Sequence, residues 1–317
     1  MTRCAIGLDI GGTNLKGAVV EVTGKIVIRD SVPTTSVEGG PAVLRRLVDL
    51  ARSLSEKAKV KKLTVAGCGV TSPGLVDQKR GVTVTGCDNL PGWAGQPAGT
   101  RLSEALGVPI AMDNDANLAA WGEYLLGSGR DTDSFVLLTI GTGIGGGIIL
   151  NGKLWRGVIG FAGEPGHIKI HPDEPLCTCG QRGCLEAACA GPALVRKAAE
   201  AAKADPKSAL AALPEINPAA VCDAARKGDA AAKKVVMECG VWLGMGAANV
   251  INLLNPEMIA IGGGIADSWD LWEPAIMKGL RLYARPAGLE SCRIVKAKLG
   301  NDAGVIGAAL YSLGRTS

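Results

Sequence analysis

The sequence contains few aromatic side chains: six Trp, three Tyr and two Phe in 317 residues. Glycine is abundant, with 45 residues, and hydrophobic residues make up 47% of the chain. This balance is typical of an α/β enzyme with many tight turns. A single hydrophobic core rarely grows beyond about 250 to 300 residues, so we expect two lobes.

The sequence also lacks an excess of charge of either sign. Its 34 basic and 30 acidic residues are spread along the chain and leave a net charge of +4, so no footprint for nucleic acid stands out. No uninterrupted apolar run approaches the roughly 18 residues of a membrane span, and glycines come too early for a signal-peptide core. We expect a cytoplasmic protein that binds neither nucleic acid nor membrane.

The hydrophobic pattern predicts alternating strands and helices. Short β-rich runs at 4–10, 15–22 and 25–29 predict an antiparallel meander, followed by a helix at 41–57 and a strand at 63–70. A strand, a glycine turn and a second strand recur from residue 134, which indicates two related halves. An Ala-rich helical stretch at 191–254 is broken by prolines, and we expect the final helix, after residue 302, to pack on the first lobe.

One common nucleotide-binding motif is absent from the sequence, and another occurs without the helix that should follow it. Residues 141–146 (GTGIGG) fit the GxGxxG pattern, but they lead into a strand instead of opening a helix, which disfavours a dinucleotide-binding fold. No GxxxxGKS or GxxxxGKT sequence occurs. The turns Gly11-Gly12-Thr13 and Gly141-Thr142-Gly143 offer backbone N–H groups and Thr hydroxyls to phosphate, although each alone is equally consistent with a simple tight turn.

One cluster of cysteines has the spacing of a metal site. His167, Cys177, Cys179 and Cys184 supply the one-His, three-Cys set of a closed tetrahedral zinc site. The alternative is that they are free thiols in a reducing compartment. We expect a structural Zn²⁺ that takes no part in the chemistry.

An ordered set of motifs resembles the ROK family of bacterial sugar kinases and repressors. The motifs are DIGGTNLKG (9–17), GVTSPGLVD (69–77), NLPGW (89–93), DNDANLAAWGE (113–123), TIGTGIGGGI (139–148), GEPGH (163–167), CTCGQRGCLE (177–186) and IGGGIA (261–266). The resemblance spans nearly the whole chain. It implies the two-lobed actin-like, hexokinase-like (ribonuclease H-like) α/β fold, with a cleft between a small lobe (1–117 plus 303–317) and a large lobe (118–302).

The resemblance implies that the chain transfers the γ-phosphate of ATP to a hexose. Asp115, at a helix N-terminus that favours its ionised form without a raised pKa, is the expected general base. An ordinary N-cap is the alternative role for this residue. Asp9 is expected to help place Mg²⁺ through water. The nucleotide is expected to contact Gly11, Gly12, Thr13, Lys16, Thr142, Gly143, Gly262, Gly263 and Gly264.

Several polar residues are expected to bind the sugar, because each buried hydroxyl left unpaired costs roughly 1 to 3 kcal/mol. By resemblance these residues are Asn89, Asn114, Asp115, Glu164, His167 and Glu186. Zinc would hold one ring nitrogen of His167 and leave the other free to donate to the sugar, while fixing the loop that carries Glu186. Considered singly, Glu164 or Glu186 is equally consistent with a solvated carboxylate.

The resemblance leaves the substrate and the exact activity open. Glucose is favoured, but N-acetylmannosamine, mannose, allose and fructose are alternative substrates, and polyphosphate is an alternative phosphate donor. A sugar-responsive repressor is a further alternative. Such repressors carry an N-terminal helix-turn-helix, whereas here the first strand is expected within about five residues of the start. We also expect a homodimer or a higher homo-oligomer, packed through the Ala-rich and Gly-rich helices.

Overall fold

A computed structural model describes residues 2–173 and 175–314. The strands are β1 (Arg3–Ile10), β2 (Asn14–Glu21), β3 (Ile26–Pro33), β4 (Thr64–Ser72), β5 (Leu75–Asp77), β6 (Val82–Thr85), β7 (Ile110–Asn114), β8 (Phe135–Ile140), β9 (Ile144–Leu150), β10 (Lys153–Leu154), β11 (Met258–Gly263) and β12 (Arg293–Lys296). The α-helices are α1 (Gly40–Val60), α2 (Ala98–Leu106), α3 (Asp115–Leu126), α4 (Leu185–Cys189), α5 (Gly191–Ala204), α6 (Pro218–Arg226), α7 (Ala230–Leu254), α8 (Trp269–Tyr283), α9 (Pro286–Ser291) and α10 (Ala303–Ser312).

The first sheet has the strand order β3-β2-β1-β4-β7. Strands β1, β2 and β3 pair antiparallel, which confirms the predicted meander, and β1, β4 and β7 pair parallel. The parallel pairing brings the C-terminal ends of β1, β4 and β7 to one edge, where Asp9 is in register with Thr71 and Thr71 with Asp113. Polar residues from three distant stretches of sequence therefore meet at this edge.

The second sheet repeats the same design with the order β10-β9-β8-β11-β12. Strands β9 and β10 pair antiparallel, whereas β8, β11 and β12 pair parallel. If the five strands of each sheet are numbered in chain order, both sheets have the spatial order 3-2-1-4-5. This match supports the prediction, made from the repeated pattern of strand and glycine turn, that the chain contains two related halves.

The chain forms two compact units that differ in extent from the predicted lobes. The first comprises Met1–Asp133, Gly147–Gly163 and Asn301–Ser317, and the second comprises Ser134–Gly146 and Glu164–Gly300. The first unit extends beyond residue 117 because all of α3 packs against α10. The predicted boundary cuts through this helix pair. Residues 147–163, which were also expected in the large lobe, belong to the first unit as well.

Helix α10 packs closely on the first sheet and on α3, as expected of the final helix. A Cβ on Gly69 of β4 would lie 1.8 Å from the Ala308 carbonyl oxygen, and one on Gly307 would lie 1.7 Å from the Leu118 carbonyl oxygen. Neither position leaves room for a side chain, so the glycines allow backbone to approach backbone. This close packing places α3 firmly above the edge of the first sheet.

The predicted helical stretch at 191–254 consists of three helices in the second unit, α5, α6 and α7. Pro218 is the first residue of α6, where a missing N–H carries no cost. Helix α7 is long and apolar enough to cross a membrane by length and composition, but 61% of its most apolar window is buried inside the protein. Such burial is typical of a helix in a protein core.

Candidate active site

Asp115 is the first residue of α3 and directly follows β7. The preceding residue, Asn114, caps the helix, because its side-chain oxygen accepts hydrogen bonds from the N–H groups of Ala116 (2.9 Å) and Asn117 (3.3 Å). These N–H groups would otherwise have no partner in the first helical turn. The prediction that Asp115 lies at or beside a helix N-terminus is confirmed, and the N-cap itself is Asn114.

The Asp115 carboxyl group has a pKa raised from its ordinary value to about 6. Desolvation by the surrounding protein is the largest cause and the negative charge of Asp9 adds to it, while a hydrogen bond from the Ala116 N–H (2.8 Å) opposes it. The side chain still presents surface to solvent, so a reactant could reach it. The helix N-terminus was expected to keep Asp115 ionised, but desolvation outweighs that effect and raises the pKa.

The Asn114 side chain is largely occupied by the protein itself. Its oxygen caps α3, and its Nδ2 donates one hydrogen bond to the Gly74 carbonyl oxygen over 3.1 Å. The Asn114 side chain also makes a hydrogen bond to the Asp115 carboxyl group, which lowers the pKa of that group. The sugar contact assigned to Asn114 stays a prediction.

Asp9 is the second-last residue of β1 and lies at the same edge of the first sheet. Its Oδ1 accepts a hydrogen bond from the Thr71 hydroxyl, as their registered positions on β1 and β4 allow. This bond orients the carboxylate and leaves Oδ2 for other partners. Oxygen ligands and bound water suit Mg²⁺, so the Asp9 carboxylate fits the predicted role.

The first glycine turn joins β1 to β2. Gly11 N–H donates to the Asn14 carbonyl over 3.1 Å, and a Cβ on Gly11 would lie 2.8 Å from that same oxygen. Gly12 and Thr13 are exposed. Lys16 lies further along β2, where it lines a pocket of about 470 Å³ together with Arg29 and Asp302. The turn thus presents Gly12 and Thr13 to solvent.

Asn89 lies beside this turn, with its Nδ2 3.4 Å from the position of a Cβ on Gly12. The loop that carries Asn89 is anchored by Trp93, which is fully buried and donates from Nε1 to the Ser72 hydroxyl over 2.9 Å. Trp93, the aromatic residue of the NLPGW motif, therefore has a structural role. It positions Asn89 near the first glycine turn.

A buried carboxylate that the sequence analysis missed lies two residues before Asp115. Asp113 is 3% exposed and accepts hydrogen bonds from Gln78 Nε2 (2.6 Å), Arg156 Nε (2.7 Å), the Asn114 N–H (2.7 Å) and Asn117 Nδ2 (3.2 Å). Asp113 belongs to the DNDANLAAWGE motif, which was a usable signal. Arg156 and Gln78 lie outside every quoted motif, so only the fold could pair them with it.

In the second unit, Glu186 holds the second glycine turn. The turn is closed by a hydrogen bond from Gly141 N–H to the Gly143 carbonyl (2.9 Å), and Ile144 N–H donates to Glu186 Oε2 over 2.9 Å. A Cβ on Gly143 would lie 2.5 Å from that carboxylate oxygen. Glu186 is therefore a partner of the turn, whereas the sequence indicated only sugar binding or solvation.

The second glycine turn and a third one, Gly262-Gly263-Gly264, line one largely apolar pocket of about 580 Å³ in the second unit. Gly263 of the third turn has a φ of +81°, and a Cβ there would lie 2.2 Å from the Ile140 carbonyl oxygen. The sequence analysis did not identify the walls of the pocket. They include Pro192, Leu194, Val195, Asn217, Pro218, Cys222 and Trp272, together with Thr142 and Gly264 from the turns.

His167, Cys177, Cys179 and Cys184 come together as predicted, with their ligand atoms all within 4.8 Å of one another. The Cys179 and Cys184 sulfurs are 3.6 Å apart, and Cys177 Sγ is 3.8 Å from His167 Nδ1. Ligands on a tetrahedral zinc with bonds of about 2.3 Å are separated by roughly 3.7 Å. The four side chains therefore fit one Zn²⁺.

The remaining predicted sugar residues of the second unit surround this cluster. His167 faces Cys177 with Nδ1, while its Nε2 lies 4.0 Å from Glu164 Oε2. Glu186 Oε1 accepts hydrogen bonds from the Thr178 hydroxyl (3.0 Å) and from Cys177 Sγ (3.4 Å). The cluster thus fixes the positions of both carboxylates and leaves Nε2 of the imidazole outside the metal site.

The repeated sheets with their glycine turns define an α/β protein of the actin-like, hexokinase-like class. Within that class the chain belongs to the ROK family, which it matches over residues 5–314.

Three relatives illustrate the similarity. A glucokinase from Halalkalibacterium halodurans is 37% identical over 96% of this chain and 93% of its own length. A ROK family glucokinase from Streptomyces griseus, solved in complex with glucose and AMPPNP, is 34% identical with a TM-score of 0.83, covering 98% of this chain and 99% of its own. A ROK family transcriptional regulator, a homologue of the E. coli MLC protein, is 30% identical with a TM-score of 0.90, covering 98% of this chain and 78% of its own.

Proposed function

We propose that this chain is an ATP-dependent glucokinase, which transfers the γ-phosphate of ATP to glucose and forms glucose 6-phosphate and ADP. The observation that carries the proposal is the position of Asp115, an exposed carboxylate at the N-terminus of α3 whose pKa is raised to about 6. A base with a pKa near the working pH is well suited to take a proton from a hydroxyl. The similarity to the S. griseus enzyme supports glucose as acceptor and ATP as donor.

In this proposal Asp115 accepts the proton of the sugar hydroxyl as its oxygen attacks the γ-phosphorus. Phosphoryl transfer requires in-line positioning more than covalent chemistry, so the other residues act by binding and orientation. Asn89, Asn114, Glu164, His167 and Glu186 are assigned to the sugar hydroxyls. Asn114 contributes its side-chain amide, and Nε2 of His167 acts as the donor on the side away from the metal.

The nucleotide is assigned to the glycine turns and to the apolar pocket of the second unit. The pocket walls suit an adenine ring, and Thr142 and Gly264 at its edge suit the sugar and phosphates of ATP. Gly11, Gly12, Thr13 and Lys16 are assigned to phosphate. Asp9 would hold Mg²⁺ through water, and that ion would neutralise negative charge on the phosphates.

We assign a structural Zn²⁺ to His167, Cys177, Cys179 and Cys184. A closed site of this type stabilises a fold without taking part in chemistry. Here it would hold the segment that carries Glu186 next to the second glycine turn. None of the ten cysteines, all of which lie within the described residues, forms a disulfide, which supports a cytoplasmic location.

A homodimer is part of the proposal, and its support lies on α7 and α8. Met237, Leu253, Leu282 and Tyr283 expose 39 to 81% of their surface on these two helices. Large apolar side chains exposed on two packed helices support a surface that binds a partner. A second copy of the chain is the occupant that we assign to this surface.

A sugar-binding regulator is the second candidate, favoured by the TM-score of 0.90 to the MLC homologue. Calorimetric titration with glucose, with and without AMPPNP, separates the two. A glucokinase binds both ligands, and Asp115→Asn still binds both without transferring phosphate. A protein that binds glucose but not AMPPNP supports the regulator, and one that binds neither contradicts both proposals. Mannose, N-acetylmannosamine and polyphosphate in the same titration test the alternative substrates.

A further inference from the structure

Backbone pairing in the second unit fixes Lys169 directly opposite Cys184. The two residues form an antiparallel bridge, flanked by hydrogen bonds from Ile170 N–H to the Gly183 carbonyl (2.8 Å) and from Leu185 N–H to the Ile168 carbonyl (3.0 Å). Residues in such a pair, with the hydrogen bonds on either side of it, bring their side chains especially close together. The position of Lys169 is therefore set by the backbone.

The Lys169 side chain uses this position to reach one of the four metal ligands. Its Nζ donates a hydrogen bond to Cys184 Sγ over 2.8 Å. Cys184 is fully buried, whereas Lys169 is exposed. The ammonium therefore caps a buried sulfur from the solvent side, without being one of the four ligands.

The net negative charge of a zinc complex at this cluster favours a cation next to its ligands. Zn²⁺ carries two positive charges, and three thiolates with a neutral imidazole leave the complex with one net negative charge. The carboxylates of Glu164 and Glu186 add negative charge near His167 and Cys177. An ammonium hydrogen-bonded to a thiolate offsets part of this charge and stabilises the deprotonated sulfur.

We infer that Lys169 is a working part of the metal site: it donates to the Cys184 thiolate, balances the charge of the zinc complex and so strengthens zinc binding. The inference rests on the zinc site of the proposed function. It goes beyond that proposal by assigning a role to a residue outside the ligand set.

Zinc affinity of the purified full-length protein, measured by competition with a chromogenic chelator, tests the inference. Lys169→Met keeps the length of the side chain and removes its charge, so we expect zinc to bind about 10- to 100-fold more weakly. Lys169→Arg retains charge and donors and should stay within about threefold of the native protein. Lys203→Met, at an exposed site in the last turn of α5, is the matched control and should leave affinity unchanged.

A spectroscopic measurement on the Co²⁺-loaded protein gives a second, independent readout. Loss of the hydrogen bond to Cys184 should shift the thiolate-to-metal charge-transfer band in Lys169→Met but not in Lys203→Met. If Lys169→Met does not fold, Lys169→Gln is measured in the same way.

Native zinc affinity together with an unshifted band in the Met or Gln variant would overturn the inference. Neither readout involves sugar or ATP, so a chain that phosphorylates no sugar would contradict the proposed function and leave the inference standing. Native protein that binds no zinc would overturn the inference and the metal assignment together.

Discussion

Arg156 donates a hydrogen bond from Nε to Asp113 Oδ2 over 2.7 Å, two residues before Asp115. The guanidinium also lies over the Tyr311 ring of α10, 5.2 Å from its centroid. The ion pair thus connects three parts of the first unit: the end of β7, the segment after β10 and the C-terminal helix. These contacts hold the junction from which the Asp115 side chain projects.

Loss of Arg156 should destabilise the first unit, because it leaves the buried Asp113 carboxylate without its cation. We expect Arg156→Gln to cost on the order of 3 kcal/mol of unfolding free energy, measured by urea denaturation. The double variant Asp113→Asn/Arg156→Gln should regain part of that loss. Arg101→Gln, which removes an exposed pair with Glu104, is the control and should change little. Equal losses in Arg156→Gln and Arg101→Gln would contradict the role of the buried pair.

The fold was predictable from the sequence where local pattern determines structure. The meander around Gly11 and the strand–turn–strand pattern around Gly141 were read correctly, because alternating apolar residues and glycine turns are local signals. The division into units was not, since it depends on the packing of α3 against α10. The small residues Gly122 and Gly307 that allow this packing show no periodic pattern in the sequence.

The activity should depend on pH through the Asp115 carboxylate. Its folded pKa of about 6 lies above the ordinary value of 3.8, and the base must be deprotonated to accept a proton. We therefore expect kcat/KM for the sugar to fall about tenfold per pH unit below pH 6.

Asp9→Asn tests the contribution of the Asp9 charge to the raised pKa of Asp115. Its charge raises the Asp115 pKa, so the acid limb should move to lower pH in the variant, whatever the loss in rate. An acid limb near pH 4 in the native protein would show that the Asp115 pKa is not raised.

Two neighbouring glycines of the first turn should differ in their tolerance of a side chain. Gly11→Ala places a Cβ 2.8 Å from the Asn14 carbonyl and forces the backbone to move, whereas Gly12→Ala meets only Asn89 Nδ2, at 3.4 Å. We expect Gly11→Ala to lower kcat/KM for ATP on the order of 10- to 100-fold and Gly12→Ala to lower it much less. A larger loss in Gly12→Ala would indicate that the exposed N–H groups, and not the shape of the turn, dominate phosphate binding.

Removal of zinc should weaken sugar binding more than nucleotide binding. Cys179→Ser removes one ligand of the cluster, which fixes His167 and, through Thr178, Glu186. We expect loss of bound zinc by metal analysis and a raised KM for the sugar, with the KM for ATP changed less. Cys292→Ala, outside the cluster, should retain zinc. A zinc-free Cys179→Ser protein with a native KM for the sugar would contradict the proposed role of the metal.

The Cys and His cluster was predictable because a one-His, three-Cys set within 18 residues is a chemical signature of a zinc site. The raised pKa of Asp115 could not be predicted, because its desolvation depends on residues that are distant in the sequence and that the fold packs around it. The same limit applies to Lys169, whose partner Cys184 lies 15 residues away and is reached only through backbone pairing. The pocket walls around Trp272 likewise come from distant helices.

ATP-dependent ADP release across a panel of hexoses, with native protein and Asp115→Asn, tests the central claim most directly. The panel includes glucose, mannose, N-acetylmannosamine, allose and fructose, with polyphosphate as an alternative donor. The proposal predicts the highest kcat/KM with glucose and ATP, and a loss on the order of 10²- to 10⁴-fold in Asp115→Asn with glucose binding retained. Turnover with none of these sugars, or full activity in Asp115→Asn, would contradict it.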